Sequence, residues 1–251
     1  VSGDAVDGTR GLVVSGAHPE IVDAVAALAV ERGWRVAVLS DIACQQDLLG
    51  AGFDMEGNAE LAVNLSDPSS IESAFAGITA QWGRAPDAVV HCTNPSHTAA
   101  AVTESASEWD ANQADELRAA FLVAQAGARE MLRLRGARAE LGSVVLVGSL
   151  AGSRGSIRSS GVSRATADGG LVGMTRQLAV EWGGDGIRVN AVQAGGLDPA
   201  LRNNPDYLAR VPLRRAAAPR EVAEVCQFLV SEASSYVTGV VLPVDGGLLA
   251  A

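Results

Sequence analysis

Short β-branched runs alternate along this chain with longer stretches whose apolar positions recur every three or four residues. GLVVS (11–15) is followed by an amphipathic stretch to about Arg32 and then by RVAVLS (35–40). Further strand-like runs are LAVNL (61–65), DAVVH (87–91), SVVLVG (143–148), IRVNAV (187–192) and VVLPV (240–244). Helical periodicity fills the spaces between them near 69–82, 107–135, 161–182 and 219–231. The alternation predicts repeated strand–helix–strand units. These give an α/β, doubly wound, seven-stranded and mostly parallel sheet with helices on both faces. In the helix predicted from 161, Leu171, Met174, Leu178 and Trp182 form an apolar stripe, while Ala165, Ala167, Gly169, Gly170 and Gly173 keep it thin enough for another backbone to approach. No repeat, low-complexity segment or linker divides the 251 residues, so one domain spanning 1–251 is expected.

Charge narrows the choice of partners. The net charge of −10 opposes long-range encounter with nucleic acid or an anionic membrane. The first residues, VSGDAVDGTRG, have neither a basic nor an apolar leader region, and no apolar run reaches membrane-spanning length; a cytoplasmic location is expected. All 19 basic residues are arginines, and there is no lysine. Cys44, Cys92 and Cys226 lie far apart in apolar or mixed surroundings and read as reduced thiols. His91, Cys92 and His97 match no metal-ligand spacing, so no metal is expected, and Cys92 reads as a packed thiol rather than a nucleophile.

Six collinear segments resemble the short-chain dehydrogenase/reductase family over essentially the whole chain. They are VVSGA (13–17), DAVVHCTN (87–94), EWDANQADELRAAFLVAQA (108–126), GSVVLVGSLAG (142–152), GIRVNAVQAGG (186–196) and YVTGVVLPVDGG (236–247). The resemblance implies a Rossmann-type fold, a nicotinamide cofactor and an oligomer, usually a tetramer. It also implies a site of asparagine, serine, tyrosine and lysine, in which the lysine cation makes the phenol useful near neutral pH. Ser149 stands at the serine position, but the tyrosine, lysine and asparagine positions fall on Arg164, Asp168 and Glu116. Arginine cannot shuttle a proton, and the only tyrosines are Tyr207 and Tyr236. These four positions are therefore expected to be degenerate, with no catalytic residue in the family sense. Ser149 reads most simply as a strand-end serine bonded locally. Arg164 and Asp168, one helical turn apart, can pair with each other, or with Glu116 can fill the vacated pocket as a three-member polar cluster.

The resemblance also locates the cofactor loop at SGAHPEIV (15–22). Ser15 and Gly16 are kept, whereas Glu20 and Val22 replace the second and third glycines. A carboxylate at the helix start is expected to repel a pyrophosphate, and valine to crowd it. HCTN (91–94) replaces a small turn, and Asn64 stands where an aspartate often supports adenine. Asp41 can meet a ribose hydroxyl or cap the next helix. No bound cofactor is expected in this chain, the loop being vestigial. The segment 201–215 lies where relatives carry a substrate lid, its arginines either a solvated rim or contacts for an acidic ligand.

Three functions are compatible with these residues. The first is a non-catalytic subunit supporting an active paralogue, which binds the NAD(P), in a hetero-oligomer such as a heterotetramer. The family offers precedents among heteromeric hydroxyacyl-thioester dehydrogenases, hydroxybenzylsuccinyl-CoA dehydrogenase being one. The second is an oxidoreductase with unorthodox groups, Glu116 or His97 serving as proton donor. The third is a stand-alone binding or regulatory protein using the old substrate pocket.

Overall fold

The computed structural model describes residues 9–41, 52–54, 57–93, 99–134, 142–155, 161–196 and 201–251. Asn94, His97 and Cys44 lie outside the described residues. Eight strands form one sheet: β1 (Gly11–Gly16), β2 (Arg35–Asp41), β3 (Gly52–Phe53), β4 (Ala59–Val63), β5 (Ala88–Cys92), β6 (Gly142–Ser149), β7 (Ile187–Ala194) and β8 (Val241–Val244). Their spatial order is β3-β4-β2-β1-β5-β6-β7-β8. All seven predicted strands are present and parallel to their neighbours. The short β3, antiparallel to β4, is an addition that two residues could not announce as a pattern.

The helices are α1 (Pro19–Glu31), α2 (Pro68–Trp82), α3 (Ala106–Asn112), α4 (Ala119–Arg133), α5 (Val162–Gly183), α6 (Pro205–Leu208) and α7 (Pro219–Val230). Their starts follow local chemistry. Proline opens α1, α2, α6 and α7, where its missing N–H costs nothing. Asp67 caps α2, and Ser105 with Glu108 forms a capping box at α3. Two apolar clusters cover the faces of the sheet. One joins Val13, Val89, Val144 and Leu146 to Phe75, Val123 and Leu178; the other joins Val14, Val90, Val145 and Val192 to Val25, Val222 and Leu229.

The chain runs from β1 outwards through β2 and β4, then returns to the other side of β1 to build β5 through β8. Loops leaving β1 and β5 therefore diverge, and they open a crevice at the carboxyl ends of the strands. Gly16, Ser149 and Asp168 sit at that end. Among the described residues no helix is long and apolar enough to cross a membrane.

Candidate active site at the carboxyl ends of the strands

The structure brings three of the four expected positions into one polar cluster with Arg164. Ser149 ends β6, and Asp168 lies on the second turn of α5. The Asp168 carboxylate accepts the Ser149 backbone N–H at 2.8 Å through Oδ1 and the Ser149 hydroxyl through Oδ2. Ala151 N–H donates back to Ser149 Oγ at 3.1 Å. Gly148 makes room for this arrangement, since a Cβ there would lie 2.6 Å from Asp168 Oδ1. Gly152 does the same for the backbone, with a hypothetical Cβ 2.5 Å from the Asp168 carbonyl carbon. Arg164 Nε stands 4.0 Å from Asp168 Oδ2, so the two form a loose ion pair one turn apart.

Glu116 reaches the cluster from the opposite wall. Residues Gln113–Arg118, between α3 and α4, wind as a π-helix, the wider turn that inserts one residue into a helix and recurs at functional sites. Glu116 is 1% exposed, and its Oε1 has no hydrogen-bond partner. Burial, then the nearby Asp168 carboxylate, pushes its pKa up to about 8, with Arg164 acting in the opposite direction. Burial likewise raises Asp168, opposed by its two bonds from Ser149 and by Arg164. Two carboxyl groups and one serine hydroxyl thus gather in one place, and Glu116 keeps its proton near neutral pH.

A second polar tie fixes the angle between these walls. Ser163 donates its hydroxyl to Glu104 and accepts Asn112 Nδ2 at 2.6 Å, while Gln113 Nε2 donates to the Ser163 carbonyl at 2.8 Å. The start of α5 is thereby held to the π-helical turn. Ser163, Asn112 and Glu104 were not singled out in the sequence, because nothing in their spacing says that two distant helices meet there.

On the other side of the crevice lies the turn between β1 and α1. Gly16 has φ +125°, and a Cβ on it would lie 1.9 Å from the Cys92 carbonyl oxygen; only glycine lets the turn rest against the end of β5. Glu20 is in the first turn of α1 and forms an ion pair with Arg202 from the segment that precedes α6. Its charge is therefore answered locally. Val22 points into the core beside α7 rather than over the turn. Ser15 Oγ bonds His91 Nδ1 at 2.9 Å inside the sheet; burial lowers the His91 pKa to about 4, so this ring is a neutral core partner. His18, in the turn itself, has a buried Nδ1 without a hydrogen-bond partner. Its pKa is lowered by burial, against Glu20 and with help from Arg164 and Arg202.

The remaining expected positions lie elsewhere along the strands and their loops. Asn64 accepts Ser66 N–H at 3.0 Å and organises the turn into α2. Asp41 is half-exposed at the end of β2, and the residues it was expected to cap lie outside the described residues. Cys92 and Cys226 are free and buried, and burial pushes both thiols up, Cys226 to about 12. No group of three metal-ligating side chains occurs among the described residues. In the segment 201–215, Arg215 makes a two-pronged pair with Glu221 at 2.6 Å and Arg214 bonds the Ala209 carbonyl. Tyr207, half-buried on α6, borders a pocket of about 540 Å³ that also takes in Leu213, Val225, Leu242 and Val244. Tyr236 is fully exposed and far from these groups in role.

A parallel doubly wound sheet, a glycine turn at its switch point and a serine at the end of β6 define a scaffold of the dehydrogenase kind. The chain belongs to the short-chain dehydrogenase/reductase family: the family model described as enoyl-(acyl carrier protein) reductase matches residues 16–249. A 3-oxoacyl-acyl-carrier-protein reductase from Thermotoga maritima is 34% identical over 193 residues, covering 74% of this chain and 75% of that protein. A cis-4-hydroxycyclohexanecarboxylate dehydrogenase from Sinomonas cyclohexanicum is 33% identical over 249 residues, covering 96% and 97%. The crystal structure of a short-chain oxidoreductase from Burkholderia thailandensis superposes with a TM-score of 0.80 at 28% identity, covering 97% of this chain and 94% of that one. These relatives correct the expectation of a non-catalytic subunit beside an active paralogue, because they are named as reductases and dehydrogenases.

Proposed function

We propose that this chain is itself an oxidoreductase that interconverts a carbonyl and a hydroxyl group, with its proton carried by Ser149 and Asp168 in place of tyrosine and lysine. The observation that carries this reading is the Ser149 hydroxyl pointing its proton at a buried carboxylate. In the reducing direction Ser149 gives its proton to the substrate oxygen while taking one from Asp168, so that no free alkoxide forms. Oxidation runs the same line backwards: the substrate hydroxyl proton passes to Ser149 Oγ as the serine proton passes to Asp168. Glu116, protonated near neutral pH, stands beside Asp168 as the group that can restore its proton.

The family implies a nicotinamide dinucleotide, and the turn at Gly16 is compatible with it. The start of α1 follows that turn at the carboxyl end of β1, and the buried Nδ1 of His18 lacks a partner. Glu20 departs from the family pattern, but Arg202 neutralises it. His18, the start of α1 and Asp41 would hold the group, which when bound supplies or accepts the hydride. A turn that holds the dinucleotide is the opposite reading to the expectation of a vestigial loop.

The test is turnover by the purified chain alone. With NADH or NADPH, 3-oxoacyl thioesters and ring ketones are expected to be reduced, and the reaction is expected to reverse with the oxidised cofactors. Absence of turnover across that panel, with the protein folded and the cofactors fresh, would overturn the reading.

A further inference from the structure

We infer that the substrate of this site carries a carboxylate and that Arg164 binds it, an inference that rests on the crevice being a substrate site as proposed above. Arg164 occupies the first turn of α5, and its backbone is fixed by the neighbouring Ser163 tie to Glu104 and Asn112. Its guanidinium lies beside the carboxyl cluster, with Nε 4.0 Å from Asp168 Oδ2, and its charge helps to lower the pKa of His18 in the β1–α1 turn. The side chain is 29% exposed, yet Nε is shielded from solvent and has no hydrogen-bond partner.

Other arginines of this chain meet their carboxylates directly. Arg84 reaches Asp87 at 2.5 Å, Arg129 reaches Glu72 at 2.5 Å, and Arg220 grips both oxygens of Glu31 at 2.7 and 3.0 Å. Arg164 stays 4.0 Å from Asp168, whose oxygens are already engaged by Ser149. Glu116 supplies no counter-charge while it holds a proton, and His18 is not an acid. A planar cation is therefore left partly desolvated and incompletely satisfied beside the reacting serine. A carboxylate matches it, because the guanidinium fork can give two parallel N–H bonds to two oxygens. Arg164 Nε and Ser149 Oγ both face Asp168 Oδ2, so the carboxylate and the reacting oxygen belong to one small molecule, a hydroxy acid or keto acid.

Binding to the cofactor-free protein tests this without any turnover. Butyrate and cyclohexanecarboxylate are compared by calorimetry with their neutral amides, on the natural protein, on Arg164→Gln and on Arg164→Lys. At least one acid is expected to bind about tenfold or more tightly than its amide, with the preference lost in Arg164→Gln and weakened by added salt. Arg164→Lys, which keeps the charge without the fork, is expected to retain part of it. ADP-ribose, carrying the pyrophosphate of the dinucleotide, is titrated in parallel. Equal binding of acid and amide, no binding of either pair, or an acid preference that survives in Arg164→Gln would overturn the inference. So would loss of ADP-ribose binding in Arg164→Gln with the acid preference intact, since the charge would then serve the phosphates.

Discussion

Both sides of the crevice carry an acidic residue where the family carries none, and the consequences differ with burial. At the β1–α1 turn, Glu20 is paired with Arg202 across a gap that water reaches, the side chains being 40% and 35% exposed. Solvent screens such a pair, and its net worth is about 0–1 kcal/mol. In the carboxyl cluster, Asp168 of α5 and Glu116 of the π-helical turn are 2% and 1% exposed. There burial raises both carboxyl groups, Glu116 to about 8, because the charged form loses its hydration. One side has acquired a surface ion pair and the other a buried acid, Glu116, that holds its proton near neutral pH.

The contrast can be broken most forcefully at Asp168. Asp168→Asn keeps an oxygen for the Ser149 N–H but removes the proton acceptor. If the buried wall handles the proton, kcat should fall by about 10²–10⁴, measured by cofactor oxidation, with the far-ultraviolet dichroism unchanged. The next largest effect is expected at the turn, on stability. Gly16→Ala forces a Cβ to 1.9 Å from the Cys92 carbonyl oxygen at a φ that alanine resists, and it should cost about 3 kcal/mol in urea unfolding.

Glu116→Gln sharpens the comparison through pH. Glu116 binds its proton more tightly in the folded chain, at about 8, than at the ordinary value of 4.5. Its stabilising contribution is complete below that ordinary value and is lost as pH rises towards 8 and beyond. The natural protein should therefore lose thermal stability between pH 5 and 9 more steeply than the glutamine variant, as followed by Tm at each pH. The smallest effect belongs to the exposed wall. Arg202→Ala should change unfolding free energy by no more than about 1 kcal/mol, with the change reduced further at high salt.

The sheet was legible because its central strands β1, β5, β6 and β7 are apolar, largely β-branched runs buried between helices, and such runs need no long-range information to be recognised. LAVNL was placed about two residues late: Asn64 and Leu65 follow the strand, and Asn64 turns its side chain to the Ser66 N–H. The meeting of Glu116, Arg164, Asp168 and Ser149 was legible only through the resemblance, which supplied the alignment of distant segments. What the chain did not disclose was how each charge would be answered. Val22, expected to crowd the turn, packs into the core, and Glu20 finds Arg202 from 182 residues further along. Ion pairs of that separation leave no periodic trace. The π-helical turn is likewise invisible in QADELR, which reads as ordinary helix, yet it carries the buried acid.

The most direct measurement is a double-variant cycle on turnover with Ser149→Ala, Asp168→Asn and the two combined. If the serine and the aspartate pass one proton between them, either single change removes the whole relay, and the double variant should be about as slow as the slower single one. Losses that multiply in the double variant, or a natural rate in either single variant, would contradict a shared proton path.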